Sequence, residues 1–531
     1  MNAGLNHLLD SAAREQPHGI ALIHGDARHS YAQLQAQANA LAVGLHGLGV
    51  TRGSRVAIWL PNLPLWVALQ FACTRIGAAV VALNTRFRSA EAGDILARSG
   101  AQVLVFMDKF RGIDFREILQ GMDRAQLRDL KHIIAVDENS TDLSAKLCGI
   151  PVIGAAALAK PGAVRVLGGA EDGCVMFTTS GTTSRPKLVL HTQRSITHHA
   201  LETARTLGYD APGTVIKVVT PLCGVSGFGM PFAAIAARAP CVLPLAFEAR
   251  DSLDLIRQHR VTHIHANHEI IRRWLETAND ADDLSSLKSV NCGSGIAPLQ
   301  AQVAARGISL LSIYGSSEMQ ARFSRQQPEL HPDRAGEAGG FPLSPQAKVR
   351  VAAMDSVSGR FLPHGEKGEL QIRAPSQMQA YFGDAAATAR GLTEDGFVRT
   401  GDCGYTHADG SFVLEARIGD VLKLSGFLVS PAEIEAMLLS HADVVQCQVV
   451  GVQGERGMQA VAFVRSTKGH AFDEAALKQY CRDRLARYKV PARIVRLDAF
   501  PLTAGANAPK VQKSALREWA QALPPEYLGE K

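Results

Sequence analysis

Ten consecutive residues, 178–187, carry the densest set of groups that could bind a ligand: Thr-Thr-Ser-Gly-Thr-Thr-Ser-Arg-Pro-Lys. Backbone N–H groups and hydroxyls can surround an oxyanion while the two basic side chains neutralise its charge, so the segment predicts a phosphate-binding loop. A Walker A loop is excluded, because the motif's second glycine is missing and the lysine is followed by leucine. Taken alone, the segment could also be a flexible surface loop. The candidate phosphate contacts are Thr179, Ser180, Gly181, Thr182, Thr183 and Lys187.

A second candidate segment is Tyr314-Gly315-Ser316-Ser317-Glu318, at the end of an apolar run. An aromatic face suits adenine and a hydroxyl suits an α-phosphate. A carboxylate suits Mg²⁺, which prefers one or two carboxylates beside phosphate oxygens. Glu318 is therefore the candidate metal ligand, and Ser317 is the candidate α-phosphate contact. For this segment alone, the alternative is a buried tyrosine followed by a surface glutamate.

Two other glycine-rich segments, 224–229 and 292–298, do not match the spacing G-x-G-x-x-G. In dinucleotide-binding folds that spacing lets the backbone approach a pyrophosphate closely. A hydride-transfer enzyme is therefore poorly supported.

The overall composition is that of an ordinary globular protein with a mild positive charge. The 531 residues include 56 basic and 50 acidic side chains, a net charge of +6. This is too small to indicate nucleic acid, though it suits small anionic ligands. The nine cysteines form no C-x-x-C pair and are odd in number, which argues against a disulfide framework or a zinc ribbon. Because no apolar leader or membrane-spanning run is present, we expect a cytoplasmic protein.

Regular elements must position these segments, and the first 340 residues indicate strands that alternate with helices. Apolar runs at 55–60, 78–83 and 101–106 are separated by helical patterns. This texture is typical of βαβ units and a largely parallel sheet. The phosphate-loop segment directly follows another apolar run, Cys174–Phe177.

The texture changes after about residue 340, where short alternating segments indicate antiparallel strands. These segments are 347–352, 368–372 and 411–414. A helix is then predicted from Pro431, with Ser430 as its N-cap and Glu433 closing a capping box. The last stretch, of about 110 residues, has the size of a separate α+β domain. The predicted boundary lies near 417–420.

In their order along the chain, these segments resemble the motifs of the adenylate-forming superfamily. That superfamily includes acyl- and aryl-CoA synthetases, luciferases and the adenylation domains of peptide synthetases. The loop is similar to its phosphate motif from Thr179 to Lys187, with Ser184 where glycine is usual. The 314–318 segment is similar to its Tyr-Gly-x-Ser/Thr-Glu motif.

The likeness extends from about Tyr31 to Arg517 and implies a fold. The expected fold is α/β: a large N-terminal domain of layered α/β subdomains with a β-rich subdomain, followed by a small mobile α+β domain. The domains implied are 1–419 and 420–531, with the second acting as a lid.

The resemblance also assigns roles to nucleotide-site residues. Thr400-Gly401-Asp402 resembles a motif whose aspartate binds the ribose hydroxyls, and Arg417 is implied as a second ribose contact. Asp420 is the implied hinge between the domains. The other implied nucleotide contacts are Gly295, Ile296, Ala297, Tyr314, Gly315, Ser316, Lys423 and Gly426.

Members of the superfamily carry a catalytic lysine near the C-terminus. Here Lys510 fits that position best, because Val511-Gln512-Lys513 follows it in the usual order. Pro509 stands where glycine is typical, and Lys513 is the weaker candidate.

The implied chemistry has two steps. A carboxylate attacks the α-phosphate of ATP to give an acyl-adenylate and pyrophosphate, and a thiol then displaces AMP. Because the carboxylate is already nucleophilic, the protein mainly positions reactants and spreads charge at phosphorus. The resemblance implies ATP, Mg²⁺ and coenzyme A as ligands, and Lys510, Glu318 and Ser317 as catalytic residues. A homodimer is left open.

An acyl pocket is expected along 221–229. Relatives often carry Phe-His where this chain has Cys223-Gly224, so the loss of two bulky side chains predicts a wide tunnel. The favoured substrate is a medium-to-long aliphatic, alicyclic or aromatic acid. Alternatively, neighbouring residues refill the space, or Gly224 serves a backbone conformation with positive φ. The candidate pocket residues are Cys223, Gly224, Gly227, Phe228 and His268.

Other functions stay open at this level. The acyl group could be loaded onto a carrier protein instead of coenzyme A, or the chain could be an inactive protein that binds an acyl-adenylate or a nucleotide. A light-emitting oxidase is a more remote alternative. A zinc site at His263, His265 and His268 is disfavoured, because no cysteine or carboxylate completes the ligand set.

Overall fold

The computed structural model describes residues 4–136, 146–162, 166–179, 186–279, 282–293, 296–353, 360–418, 422–425, 427–429, 431–454, 457–466, 472–503 and 510–523. The chain divides into two compact units. The first comprises Met1–Thr85, Ile95–Thr178 and Leu188–Ala416, and the second comprises Arg86–Asp94, Thr179–Lys187 and Arg417–Lys531. The predicted boundary after residue 419 falls outside the described residues.

The strands in the first part of the chain are β1 Ile20–His24, β2 Ala27–Ser30, β3 Arg55–Trp59, β4 Ala79–Ala82, β5 Val103–Met107, β6 Lys109–Phe110, β7 Ile113–Asp114, β8 His132–Val136, β9 Lys146–Leu147, β10 Ile150–Gly154, β11 Gly173–Thr179, β12 Lys187–Thr192, β13 Ile216–Val218, β14 Cys241–Val242, β15 His263–Ala266, β16 Ser289–Cys292, β17 Ser309–Ser316 and β18 Gln320–Arg325. The later strands are β19 Ala338–Pro342, β20 Lys348–Ala352, β21 Gly368–Arg373, β22 Ala380–Tyr381, β23 Val398–Thr406, β24 Phe412–Arg417, β25 Leu422–Leu424, β26 Phe427–Val429, β27 Val444–Gly454, β28 Gly457–Ser466, β29 Arg493–Arg496, β30 Leu502–Thr503 and β31 Lys510–Val511.

The helices are α1 Asn6–Glu15, α2 Tyr31–Gly47, α3 Pro64–Ile76, α4 Ser89–Ser99, α5 Phe115–Gln120, α6 Ala155–Leu158, α7 Gln193–Thr206, α8 Val225–Ala237, α9 Ala249–His259, α10 His268–Thr277, α11 Ala297–Ala304, α12 Ala385–Gly391, α13 Pro431–Leu439, α14 Glu474–Arg482 and α15 Lys513–Gln521. Short 3-10 turns occupy Arg124–Leu127, Pro332–Arg334 and Arg487–Lys489. No helix in the described ranges is both long and apolar enough to cross a membrane.

Within the described residues, the larger sheet has 13 strands in the order β2-β1-β14-β13-β15-β16-β17-β18-β19-β24-β23-β21-β20. Its part from β1 to β17 is parallel, whereas β17–β18, β18–β19 and β21–β23 are antiparallel. The second large sheet follows the order β22-β12-β11-β4-β3-β5-β8-β10-β9 and is parallel from β11 to β10. The change from parallel to antiparallel pairing confirms the predicted α/β class.

Local sequence explains where the main helices begin. Ser30 accepts a hydrogen bond from the backbone of Gln33 and closes a capping box at α2. Pro64 occupies the first turn of α3, where its missing N–H is tolerated. Thr192 caps α7 and Asn267 caps α10, because each side chain accepts a hydrogen bond from a backbone N–H in the first turn. These caps fix the helices that flank the candidate site.

The second unit is built on the three-stranded sheet β27-β28-β29, packed against α13 and α14. Helix α13 begins at Pro431 as predicted, and Ser430 lies outside the described residues. Glu433, predicted to close a capping box, is buried, and its Oε1 accepts a hydrogen bond from Lys489 Nζ at 2.6 Å. Its described partner is thus a buried cation, because a carboxylate taken out of water requires a counter-charge.

Candidate active site

The centre of the candidate site is the turn between β17 and β18, which contains Ser316, Ser317 and Glu318. The backbone N–H of Glu318 donates to Ser316 Oγ at 3.2 Å, and its C=O accepts from Met378 N at 2.7 Å. The hydroxyl of Tyr381 donates to Glu318 Oε1 at 2.9 Å. The carboxylate is therefore held by its backbone and by one oxygen, while it remains only half buried.

A buried histidine supports the same turn from β12. His191 Nε2 donates to the carbonyl oxygen of Ser317 at 2.7 Å. On its other side, Gln320 Nε2 contacts Nδ1 at 3.4 Å. Burial lowers the pKa of His191 to about 4, so the ring is neutral at pH 7. A neutral imidazole at this place fixes the backbone of Ser317 without adding charge to the site.

The predicted adenine and ribose contacts are joined by a hydrogen bond. Tyr314 OH donates to Asp402 Oδ2 at 2.7 Å, and both residues are buried. Asp402 lies in β23 beside Gly401, whose φ of 67° is in the region that favours glycine. The Tyr314 ring packs edge-on against Phe412 at 5.4 Å. This arrangement links the end of β17 to the Thr-Gly-Asp segment. Gly315, which follows Tyr314 and precedes the turn, is exposed.

The phosphate-loop segment is described only at its two ends. Thr179 is the last residue of β11 and Lys187 is the first residue of β12, and both are half buried. Ser180, Gly181, Thr182 and Thr183 lie outside the described residues. Their contact with phosphate stays a prediction.

The other predicted nucleotide contacts are described in part. Ile296 is buried and forms the N-cap of α11, which begins at Ala297. Gly295, Asp420 and Gly426 lie outside the described residues. Arg417 ends β24 and Lys423 is paired in β25, and only their backbone is described.

The two candidate lysines have different surroundings. The backbone of Lys510 pairs with Thr503 in the short β30–β31 ribbon. Lys513 Nζ lies 3.2 Å from Glu435 Oε1. That oxygen also accepts from Val449 N at 2.8 Å. Lys513 thus has an ion-pair partner within its own unit, and the catalytic role of Lys510, of which only the backbone is described, stays a prediction.

Gly224 has open space beside it. It is exposed at the N-cap of α8, with φ of −111°, and an added Cβ would meet only Pro221 O, at 3.8 Å. A positive φ is therefore not the reason for a glycine at this position. The wide tunnel beside Gly224 stays a prediction.

Two predicted pocket residues, Gly227 and Phe228, lie in the protein interior. A Cβ on Gly227 would lie 2.3 Å from Pro221 O, so this glycine allows the backbone to pack closely. Phe228 is fully buried, with its ring 5.1 Å from that of Phe177 and 4.5 Å from that of Phe232. Their role in lining an acyl pocket stays a prediction. Cys223 is also buried, and His268 is half buried at the start of α10.

Glu318 fits the metal that the family implies. Its half-buried carboxylate has one oxygen bound by Tyr381, and no cationic side chain among the described residues is ion-paired with it. A single carboxylate beside phosphate oxygens is a sufficient protein contribution for Mg²⁺. When bound there, Mg²⁺ would neutralise charge on the phosphates. No group of three or more metal-ligating side chains occurs in the described part of the chain.

Three residues near the turn were not found from the sequence: His191, Tyr381 and Arg322. His191 and Tyr381 are 126 and 63 residues away from their partners in the 316–318 turn, so no local sequence spacing predicts these contacts. Arg322 lies four residues after Glu318. Its alternation with Gln320 in a strand was the only sequence signal that could have placed the two side chains on one face.

Comparison with known proteins identifies the family. Residues 9–382 match the AMP-binding enzyme model, and residues 433–506 match the AMP-binding enzyme C-terminal domain. The chain is 31% identical over 526 residues to an indoleacetate–CoA ligase of Aromatoleum aromaticum, covering 97% of this chain and 98% of that protein. It is 30% identical over 530 residues to a feruloyl-CoA synthase of Amycolatopsis sp, covering 97% and 99%.

Solved structures agree with this identification. A double mutant of o-succinylbenzoate CoA synthetase from Bacillus subtilis, bound to a product analogue, superposes with a TM-score of 0.81 at 26% identity. That match covers 96% of this chain and 98% of the other. The same synthetase has been solved with ATP and a magnesium ion, and that structure matches with a TM-score of 0.65 at 26% identity over 93% and 96% of the two chains.

The chain belongs to the AMP-binding enzyme family, the adenylate-forming enzymes. The predicted family, fold class and enzyme class of acid–thiol ligases are confirmed. The predicted use of ATP, Mg²⁺ and coenzyme A is confirmed at the level of the family.

Proposed function

We propose that this chain is an ATP-dependent ligase that joins a bulky aliphatic, alicyclic or aromatic carboxylic acid to coenzyme A through an acyl-adenylate. The observation that carries the proposal is the convergence on the 316–318 turn. There His191 binds the carbonyl oxygen of Ser317 at 2.7 Å and Tyr381 binds the carboxylate of Glu318 at 2.9 Å, across 126 and 63 residues of sequence. Binding groups held in this way need little reorganisation when charge develops on a phosphate.

Each part of the site has a place in this chemistry. Thr179, Lys187 and the loop between them would hold the triphosphate, and Ser317 and Glu318 would serve the α-phosphate and the metal. Asp402 would hold the ribose. Lys510 would neutralise charge between the carboxylate and phosphorus, and Asp420 would be the hinge of the lid domain, 420–531.

Two lines of support favour a bulky acid. The names of the indoleacetate–CoA ligase and the feruloyl-CoA synthase, at 31% and 30% identity, carry aromatic acids. The space beside Gly224 would admit a large group, because an added Cβ there meets only one atom within 4 Å. Transfer of the acyl group to a carrier protein is the alternative outcome of the second step.

A pyrophosphate-release screen over carboxylic acids, with and without coenzyme A, tests the proposal. We expect release that depends on both a bulky acid and coenzyme A, and that is lost in Glu318→Gln. Release with acid alone, unchanged by coenzyme A, would favour a carrier protein as acceptor. No release with any acid in a broad panel would contradict the proposal and favour a binding protein.

A further inference from the structure

Arg322 is a buried cation whose guanidinium is only partly engaged. The residue lies in β18 and is 1% exposed. Its Nη1 donates to Ser226 O at 3.1 Å, while Nε and Nη2 have no hydrogen-bond partner within the described structure. Nε and Nη2 together form the side-on edge of a guanidinium, which binds a carboxylate through two parallel hydrogen bonds.

The surroundings of Arg322 contain further unsatisfied polar atoms. His199 Nε2, His265 Nδ1 and both amide atoms of Asn291 have no partner among the described residues, and each side chain is at most 5% exposed. His265 and Asn291 are paired in the β15–β16 register, which places their side chains on one face of the sheet. An orphaned buried polar group costs about 1–3 kcal/mol, so a cluster of them points to a missing polar ligand.

The charge of this cluster is positive. Burial, and then the charge of Arg322, lower the pKa of His199 and of His265 well below the ordinary value, so both rings are neutral. Glu202 lines a small cavity together with Arg322 and His199. Its carboxylate, however, is paired with Arg205 Nη2 at 2.7 Å. The guanidinium is therefore left without a bound counter-charge among the described side chains.

Gly229 makes room for the guanidinium beside α8. A Cβ at this position would lie 2.2 Å from Arg322 Nη2 and 3.3 Å from His199 Cε1. A larger residue would thus displace the unpartnered edge of the arginine. The glycine and the arginine together define the cluster as a built feature of the helix–sheet interface.

The cluster is continuous with the candidate active site through β18. Gln320 contacts His191, the residue that holds the backbone of Ser317. Arg322 is two residues further along the strand on the same face. At about 3.3 Å per residue, its Cα lies roughly 7 Å along the strand from that of Gln320. A substrate that extends from the turn to this cluster would carry a polar group at each end.

We propose that Arg322, assisted by His199, His265 and Asn291, binds a second carboxylate at the far end of the acyl substrate, so that the acid activated is a dicarboxylic acid. The inference rests on the proposed ligase function and names its substrate class. A buried guanidinium without a partner is strongly destabilising, and a carboxylate satisfies both its charge and its open edge.

The test compares matched acids in acyl-CoA formation by the full-length enzyme. Succinate, glutarate, adipate, pimelate, suberate, sebacate and aromatic dicarboxylic acids are each paired with the monomethyl ester of the same length. We expect at least one diacid to exceed its ester in kcat/KM by on the order of 100-fold, the usual size of a buried charge pair. Arg322→Met should reduce that ratio to about one, and Arg322→Lys should restore part of it.

Arg325→Met is the matched control, because Arg325 lies on the same strand with Nη2 3.2 Å from Glu329 and should leave the preference for diacids intact. Unfolding temperature supplies an independent readout. Without ligand, Arg322→Met should be at least as stable as the wild type, since replacing an unpaired buried charge by an apolar side chain is often stabilising. The preferred diacid should raise the unfolding temperature of the wild type and not of Arg322→Met.

Two results would overturn the inference. The first is conversion of monoacids or esters as efficiently as diacids by the wild type, which would leave the ligase function standing. The second is a less stable Arg322→Met that loses rate equally with all acids, which would assign Arg322 a structural role. Failure of the wild type to convert any acid would instead overturn the ligase function itself.

Discussion

The hydroxyl of Tyr381 donates a hydrogen bond to Oε1 of Glu318 at 2.9 Å, across 63 residues of sequence. The bond orients one carboxylate oxygen and leaves the other available to a cation. It also ties the turn after β17 to β22, the strand that pairs with β12 at Val189. In this way the candidate metal ligand is held by elements of two different sheets.

Removal of this bond should weaken metal-dependent binding of ATP without abolishing it. Tyr381→Phe loses one hydrogen bond, worth about 1 kcal/mol, so the KM for magnesium–ATP should rise roughly fivefold. Glu318→Gln removes the ligand itself and should cause a far larger loss. Acid-dependent ATP–pyrophosphate exchange over a series of Mg²⁺ concentrations measures both. An equal effect of the two substitutions would show that Glu318 is not the metal ligand.

The assignment of the catalytic lysine predicts a difference between two neighbours. Lys510→Ala should slow adenylate formation by about 100- to 1,000-fold, as loss of a preorganised charge donor does. It should spare thioester formation from a supplied acyl-adenylate. Lys513→Ala breaks a partly exposed ion pair with Glu435 and should change stability by at most about 1 kcal/mol. The reverse pattern in the two half-reactions would place the catalytic role at Lys513.

The space beside Gly224 predicts a size-dependent effect of side chains. Gly224→Ala should change kcat/KM only slightly, whereas Gly224→Phe should exclude large acids and spare acetate or propionate. Each methylene excluded is worth roughly 1 kcal/mol of burial. Exclusion of about three methylenes should therefore shift the selectivity between large and short acids by about two orders of magnitude. Competition between a large and a short acid in acyl-CoA formation measures the shift.

Gly227→Ala is the control for this series. Its Cβ would lie 2.3 Å from Pro221 O, so this variant should lose stability and activity on all acids alike. A uniform loss in Gly224→Ala as well would refute the tunnel.

His191 should make folding stability depend on pH. Burial lowers its pKa from 6.5 to about 4, so between these values only the unfolded chain binds the proton. The free energy of unfolding should therefore fall as the pH drops from 6.5 to 4, by up to about 3 kcal/mol from this group. Urea titrations of the wild type and of His191→Gln, which keeps an amide donor for Ser317 O, isolate that contribution. Parallel pH profiles of the two proteins would contradict it.

The sequence predicts well what depends on local patterns. The buried strands β3 and β5 and the helix from Pro431 follow from local sequence patterns, whereas the run of antiparallel pairs in the larger sheet begins at β17–β18, earlier than the predicted residue 340. The order of short motifs was enough to predict the family. The pocket role of Phe228 stays a prediction, because a buried aromatic residue and a pocket-lining one have the same sequence signal. Gly224 and Gly227, three residues apart, differ only in the backbone they face, which is a tertiary property.

The same limit explains the residues that were missed. His191, Tyr381 and Arg322 acquire their roles from contacts across sheets and helices, and no spacing rule connects them to the 316–318 turn. Unsatisfied atoms such as Arg322 Nε become visible only when all neighbours are in place. Substrate class is therefore the property that the sequence conveys least.

The most direct test of the account is a product balance with ATP, Mg²⁺, coenzyme A and a panel of acids, quantified by mass spectrometry. The account predicts equal amounts of AMP and acyl-CoA with at least one bulky acid, and neither product when that acid is omitted. It also predicts loss of both products in Glu318→Gln. Formation of ADP in place of AMP, or AMP without a coenzyme A thioester for every acid, would contradict it.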